Sequence, residues 1–164
     1  MITLNAEPKR RNYFLRTLWT ILPVAIMFFS VTTKANDLPE LQTAAFVDVP
    51  RYMGTWYEIA SFPQKFQKDC VGTTATYNLI NDGTVDVLNR CHKKEFNGPI
   101  KDAHGIAKIV DTNTNSKLKV KFCLFFSGDY WILEVGNDYE YAVVGHPSRK
   151  YLWILSRTTT MDQG

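Results

Sequence analysis

From Lys117 to Leu124 the chain reads Lys-Leu-Lys-Val-Lys-Phe-Cys-Leu, polar and apolar in turn. A period of two places successive side chains on opposite faces of an extended strand, so one face is dry and the other wet. The same period recurs in eight segments, near 54–61, 70–80, 84–92, 101–111, 116–125, 129–135, 140–146 and 151–157, with no helix-length segment between them. Turn chemistry separates them: Asn81-Asp82-Gly83, Asn97-Gly98-Pro99, Asp111 to Asn115, Ser127-Gly128-Asp129, Gly136-Asn137-Asp138 and His146-Pro147-Ser148. Short strands at this spacing predict an all-β meander, and eight strands close into a cup wide enough for one small molecule. The two ends of the pattern point the same way. Gly54-Thr55-Trp56 opens the first strand and Leu155-Ser156-Arg157 ends the last, and Trp56 can meet Arg157 only if the sheet curls onto itself. The expected fold is therefore all-β, an eight-stranded antiparallel up-and-down β-barrel, with residues 62–69 as a flap at its mouth.

The net charge of +3 belongs to the first 35 residues, which hold Lys9, Arg10, Arg11, Arg16 and Lys34 against Glu7. The remaining 14 basic and 15 acidic residues leave the body near −1. Such a body gives no electrostatic reason to expect nucleic acid. Basic residues followed by the uncharged run 17–33 read as a signal peptide or an uncleaved N-terminal anchor over residues 1–35. The leader predicts an exported chain, and membrane association through this segment is open. No Cys ends the apolar run, so no lipoprotein-type acylation site is visible. Residues 36–50 read as a linker and lead-in segment outside the barrel, and residues 51–164 as the barrel itself.

Three motifs in order carry a resemblance. Gly54-Thr55-Trp56, then Gly128-Asp129-Tyr130 with Tyr139-Glu140-Tyr141-Ala142, then Leu155-Ser156-Arg157-Thr158 are similar to the signatures of the lipocalin family. The run Tyr151 to Arg157 resembles its bacterial branch of outer-membrane lipoproteins (Blc type), relatives of apolipoprotein D. The resemblance covers about residues 46–162. It implies binding, storage or transport of small hydrophobic ligands such as fatty acids and lysophospholipids, in the periplasm or outer membrane of a Gram-negative bacterium. It implies no cofactor, and because some members are dimers, a second copy is a candidate partner. Gly54, Trp56 and Arg157 would be structural: Trp56 plugs the closed end, Arg157 lies across its indole and bonds nearby carbonyls, and Gly54 lets the backbone turn into the strand.

Alternation from an inward Trp56 then sets the parity of the wall. Glu58 and Ala60 follow Trp56 inward, as do Leu79, Val85, Glu134 and Leu155 on later strands. The expected ligand-binding residues are Tyr77, Val87, Asn89, Leu118, Val120, Phe122, Tyr130, Ile132, Val144, Tyr151 and Trp153. Ala103, Gly105 and Ala107 would leave room on the fourth strand, and Tyr and Trp tips could bond a polar headgroup. Glu58 and Glu134 need partners if buried, either a Tyr or Arg nearby or a cationic headgroup.

Three cysteines leave one unpaired. The resemblance implies a Cys70–Cys91 bridge, although a tight turn at 81–83 would set Cys91 opposite residue 73 or 74, so a bulge near Cys70 is required. Cys123 would lie free on the outer face. His92, His104 and His146 fall on different segments without metal-ligand spacing, so no metal site is expected, and no nucleophile elbow or phosphate loop is present. The chain is expected not to be an enzyme. The alternatives are a lipocalin-fold enzyme with Cys91 as its only candidate nucleophile, or an interaction module whose Phe125-Phe126 segment docks on a partner or a membrane. The family continues into a C-terminal helix and this sequence stops at Gly164, so that helix is expected to be missing and the wall it would cover exposed.

Overall fold

Each of the eight alternating segments is a strand: β1 (Gly54–Ser61), β2 (Cys70–Asn81), β3 (Thr84–Lys93), β4 (Ile100–Ile109), β5 (Lys117–Cys123), β6 (Phe126–Val135), β7 (Tyr141–Gly145) and β8 (Leu152–Ser156). The computed structural model describes residues 38–81, 83–123 and 126–161, the side chain of Cys123 excepted. The leader, Asp82 of the hairpin turn, the Leu124–Phe125 link and the outward placement of Cys123 lie outside the described residues. Every strand pairs antiparallel with the next, and β8 pairs back onto β1 through Tyr57 opposite Ser156, so the sheet is a closed barrel. Among the described residues helix is confined to a short turn, α1 (Val49–Tyr52), and a 3₁₀ turn, Lys65–Gln67, within the expected flap. Both the mouth and the floor follow from the topology. The loops 62–69, 94–99 and 146–151 gather at the mouth, and the loops 110–116 and 136–140 gather at the floor.

Two bulges overturn the simple parity. The β1–β8 register shifts between Glu58 and Ala60, so Ala60 turns out to solvent and the half-buried Ser61 takes its place inside. A second shift between Ile132 and Glu134 turns Glu134 outward, where it accepts a hydrogen bond from Tyr141, and Val135 packs on the core instead. A bulge adds one residue to one strand, and every later side chain on that strand changes face. Leu79 also differs from expectation: at the tip of the β2–β3 hairpin it is exposed.

The floor is sealed by Trp56, which is fully buried, with the Arg157 guanidinium carbon 3.7 Å from the ring centroid. Arg157 also donates to the carbonyls of Thr55 (2.9 Å), Arg51 (2.8 Å), Met53 (2.8 Å) and Tyr139 (3.3 Å). The Trp56 indole N–H donates to the Tyr52 carbonyl at 2.9 Å. Gly54 has φ +92°, a conformation costly for any residue with a Cβ, and a Cβ there would already touch Arg157. Residues 43–48, expected outside the barrel, close its floor. Val47 is buried in the core, Val47 N–H donates to Thr114 O, Ala44 N–H donates to Ile132 O, and Asp48 N–H donates to the Tyr139 hydroxyl. A Val at this position removes apolar surface from water that a free linker would expose.

Candidate functional site

Above Trp56 three tyrosine rings pack into the barrel, tilted or edge-on to one another, and their hydroxyls meet. The Tyr130 hydroxyl lies 2.8 Å from that of Tyr52 and 3.0 Å from that of Tyr77. Burial, with the Glu58 carboxylate adding to it, pushes the Tyr77 hydroxyl up to about 12. Burial likewise holds the Tyr52 and Tyr130 hydroxyls well above the ordinary phenol value. All three are neutral at physiological pH, and the group is a polar plug in an apolar barrel. Tyr52 did not stand out in the sequence because it precedes the first strand. Its position four residues before Trp56, at the end of the short turn α1 that leads into β1, is the only local sign of it.

The middle of the barrel is packed. Val87, Leu118, Val120, Ile132 and Val144 are buried in one cluster with Val85, Ala107, Ala142 and Leu155, and Phe122, Tyr130 and Trp153 pack against it. The room expected on β4 is taken: a Cβ on Gly105 would lie 2.9 Å from the Phe122 ring, so the absent side chain of one strand accommodates the large one of the next. Asn89 differs from its neighbours. It sits opposite Ala75 on one side and Ala103 on the other, and its side-chain oxygen is buried without a partner.

Open space lies at the mouth, on either side of the flap. One cleft of about 430 Å³ is bounded by Glu58, Ser61, Thr73 and the flap residues Gln64 and Gln67. A second of about 580 Å³ is bounded by Phe66, Phe126 and Tyr151. Of the expected ligand-binding residues, Tyr151 borders the second cleft, and the others border neither. Tyr151 stacks on Trp153 with ring centroids 6.1 Å apart, continuing the apolar wall downward from the cleft. A latch spans the mouth. Gln67 donates to Glu58 (2.7 Å) and accepts from the Trp153 indole N–H (3.2 Å), while Glu58 also accepts from Ser61 (2.7 Å). Glu58 thus finds an amide and a hydroxyl, not the Tyr or Arg considered from the sequence. Gln64 and Gln67 gave no signal there, because polar residues in a loop read as solvated.

Cys70 and Cys91 are joined by a disulfide, with their Cα atoms 5.5 Å apart. The required bulge is present: the β2–β3 register shifts between Val71 and Thr74. With its sulfur in that bridge, Cys91 offers no thiol for nucleophilic chemistry. Among the described residues no three His, Cys, Asp or Glu side chains gather as metal ligands. His92 instead faces the Gly98 carbonyl at 3.2 Å, and the His146 ring lies 3.8 Å from the Asp129 carboxylate.

Comparison with known proteins agrees with this geometry. Temperature-induced lipocalin-1 of Arabidopsis thaliana is 46% identical over 137 residues, covering 78% of this chain and 72% of its own length. Outer membrane lipoprotein Blc of Escherichia coli K12 is 40% identical over 115 residues, covering 70% of this chain and 64% of its own length. Apolipoprotein D of Rattus norvegicus is 36% identical over 120 residues, covering 67% and 60%. Insecticyanin from the tobacco hornworm superposes with a TM-score of 0.61 at 23% identity, covering 76% of this chain and 70% of its own, which shows the shared fold. The family model for a lipocalin-like domain matches residues 47–164. The chain belongs to the lipocalin family.

Proposed function

We propose that this lipocalin binds and carries small hydrophobic molecules, with lysophospholipids and fatty acids as its ligands, taken up tail first beneath the flap. As a lipocalin the chain is a binder of small hydrophobic ligands. The observation that carries the finer reading is a barrel sealed at Trp56 and Arg157 yet open at the clefts beside Tyr151. An acyl chain entering there meets Tyr151, Trp153 and Phe122 and displaces Gln67 from the middle of the mouth. The unpartnered Asn89 oxygen would accept a hydrogen bond from a ligand hydroxyl such as that of a lysophospholipid glycerol. Each methylene removed from water contributes ~0.8 kcal/mol, so about twelve give roughly 10 kcal/mol before the cost of association, consistent with affinity near the micromolar range. The outer-membrane lipoprotein relatives and the basic, then apolar, leader support a site of action in the bacterial envelope.

The test is native mass spectrometry of the purified chain followed by titration with lysophosphatidylcholine and with palmitate, read by tryptophan fluorescence. Co-purifying lipid, and a fluorescence change abolished by Trp153→Phe, are expected. An empty barrel whose fluorescence does not respond to either lipid would overturn the reading.

A further inference from the structure

The mouth presents an apolar face to water. Phe96 is 75% exposed and Phe126 59%, and Phe62, Phe66 and Ile100 are exposed beside them, all on or next to the mouth loops. Phe66 gathers part of this surface, with its ring 6.4 Å from that of Phe126 and 6.0 Å from that of Tyr151. Apolar side chains left exposed together at one end of a barrel mark a contact site. The charge around it is mostly positive. Lys65, Lys68, Lys93, Lys94, Lys101, Arg149 and Lys150 surround it, against Asp69 and Glu95, a net of +5. Among the described residues no ion pair joins any of the seven to an acid. Lys93 and Lys101 donate instead to the backbone carbonyls of Lys68 and Phe66, which ties the loops together and holds the cations at the rim. Because residues 36–164 carry about −1 in total, the rest of the barrel body carries about −6. The body is electrically lopsided, basic at its open end.

We propose that the open end docks on an anionic lipid bilayer, with the phenylalanine rings at the headgroup–acyl boundary and the lysines over the headgroups. Aromatic rings interleaved with lysine are the composition that an interfacial contact with anionic lipid favours. The opposite charge of the remaining body orients the molecule before contact. A lipid surface suits this face better than a folded partner, because the rings and cations are spread over three loops around an opening. The clefts open on the same face, so a lipid could pass between bilayer and cup without crossing water. That passage rests on the binding function proposed above; the docking does not.

The experiment sediments the full chain with vesicles of phosphatidylcholine alone or with about a third phosphatidylglycerol, at low and high salt. Wild-type is expected to bind the anionic vesicles about tenfold better, with the preference lost at high salt. Lys93→Glu with Lys94→Glu, which border neither cleft, should abolish the preference, and Phe96→Ser should weaken binding at both salts. The fluorescence of a Phe96→Trp chain should be quenched by brominated lipid in anionic vesicles. Because the leader is present in every variant, binding undiminished by these changes would place the contact elsewhere and overturn the proposal. Absence of binding to either vesicle, as a protein partner would give, overturns it too. If Phe96→Ser fails to fold, the lysine pair decides. Lysophosphatidylcholine titration of the same variants in solution should match wild-type, and its failure in wild-type alone would count against the cup and not against the docking.

Discussion

Removing the Arg157 side chain should cost the barrel about 3 kcal/mol. The cation–π contact over Trp56, at 3.7 Å, contributes ~1 kcal/mol. The guanidinium also donates to four carbonyls. Charged donors are worth up to ~3 kcal/mol each when fully buried, but Arg157 is only half-buried and water can reach the vacated carbonyls, so ~0.5 kcal/mol each is the better figure. Arg157→Ala should therefore lower the unfolding midpoint by roughly 10 °C in a domain of this size. Arg157→Lys keeps the charge but reaches one carbonyl in place of four and cannot stack, so it should cost about 2 kcal/mol. Urea unfolding followed by tryptophan fluorescence measures both, and Trp56 emission should shift to the red in the Ala variant. A loss under about 1 kcal/mol for Ala, or a Lys variant as stable as wild-type, would refute the reasoning that the guanidinium fork clamps the floor.

Two further outcomes follow from the interior. The Tyr77 hydroxyl is raised to about 12 in the folded state against about 10 when unfolded, so its neutral form is favoured by folding. That stabilisation is complete below about pH 10 and is lost as pH rises toward 12, about 3 kcal/mol in all. Urea midpoints measured across this window should fall less steeply for Tyr77→Phe; an identical slope would show that another group governs the alkaline transition. Gln67→Ala removes the latch to Glu58 and Trp153 and should speed lipid uptake about tenfold in stopped-flow fluorescence, with a far smaller change in stability. An unchanged uptake rate would mean that the flap does not gate the mouth.

The eight strands were readable from the sequence because a half-wet sheet repeats its polarity every second residue, but Ser127-Gly128-Asp129, expected as a turn, lies within β6, where Gly128 pairs with Val120. Closure was readable from two residues, Trp56 and Arg157, whose chemistry is wasted if they stand apart. The bulges at Ile59 and Leu133 were not, because an inserted residue leaves the local alternation intact on both sides and shows only as a change of face. Ala60 and Glu134 were therefore placed inside, when Ser61 and Val135 hold those positions. The ligand wall was read as a row of inward side chains. Parity alone does not say how far each side chain reaches, and Phe122 reaches across to fill the space beside Gly105. The latch of Gln67 on Glu58 and Trp153 depended on where a loop folds back, which no periodicity encodes.

The seam between β1 and β8 also sets the order in which the molecule can form. Seven of the eight strand pairings join neighbours in the chain, and each can zip as a local hairpin. The eighth joins Tyr57 to Ser156, about a hundred residues apart, and carries the largest single loop-closure cost of folding. Until it forms, the outer strands of an uncurled ribbon are bare edges that can pair with those of another copy. Because one of those edges ends at Arg157, nascent chains are committed to a slow final stitch and stay vulnerable to edge-to-edge aggregation until the last strand has been made.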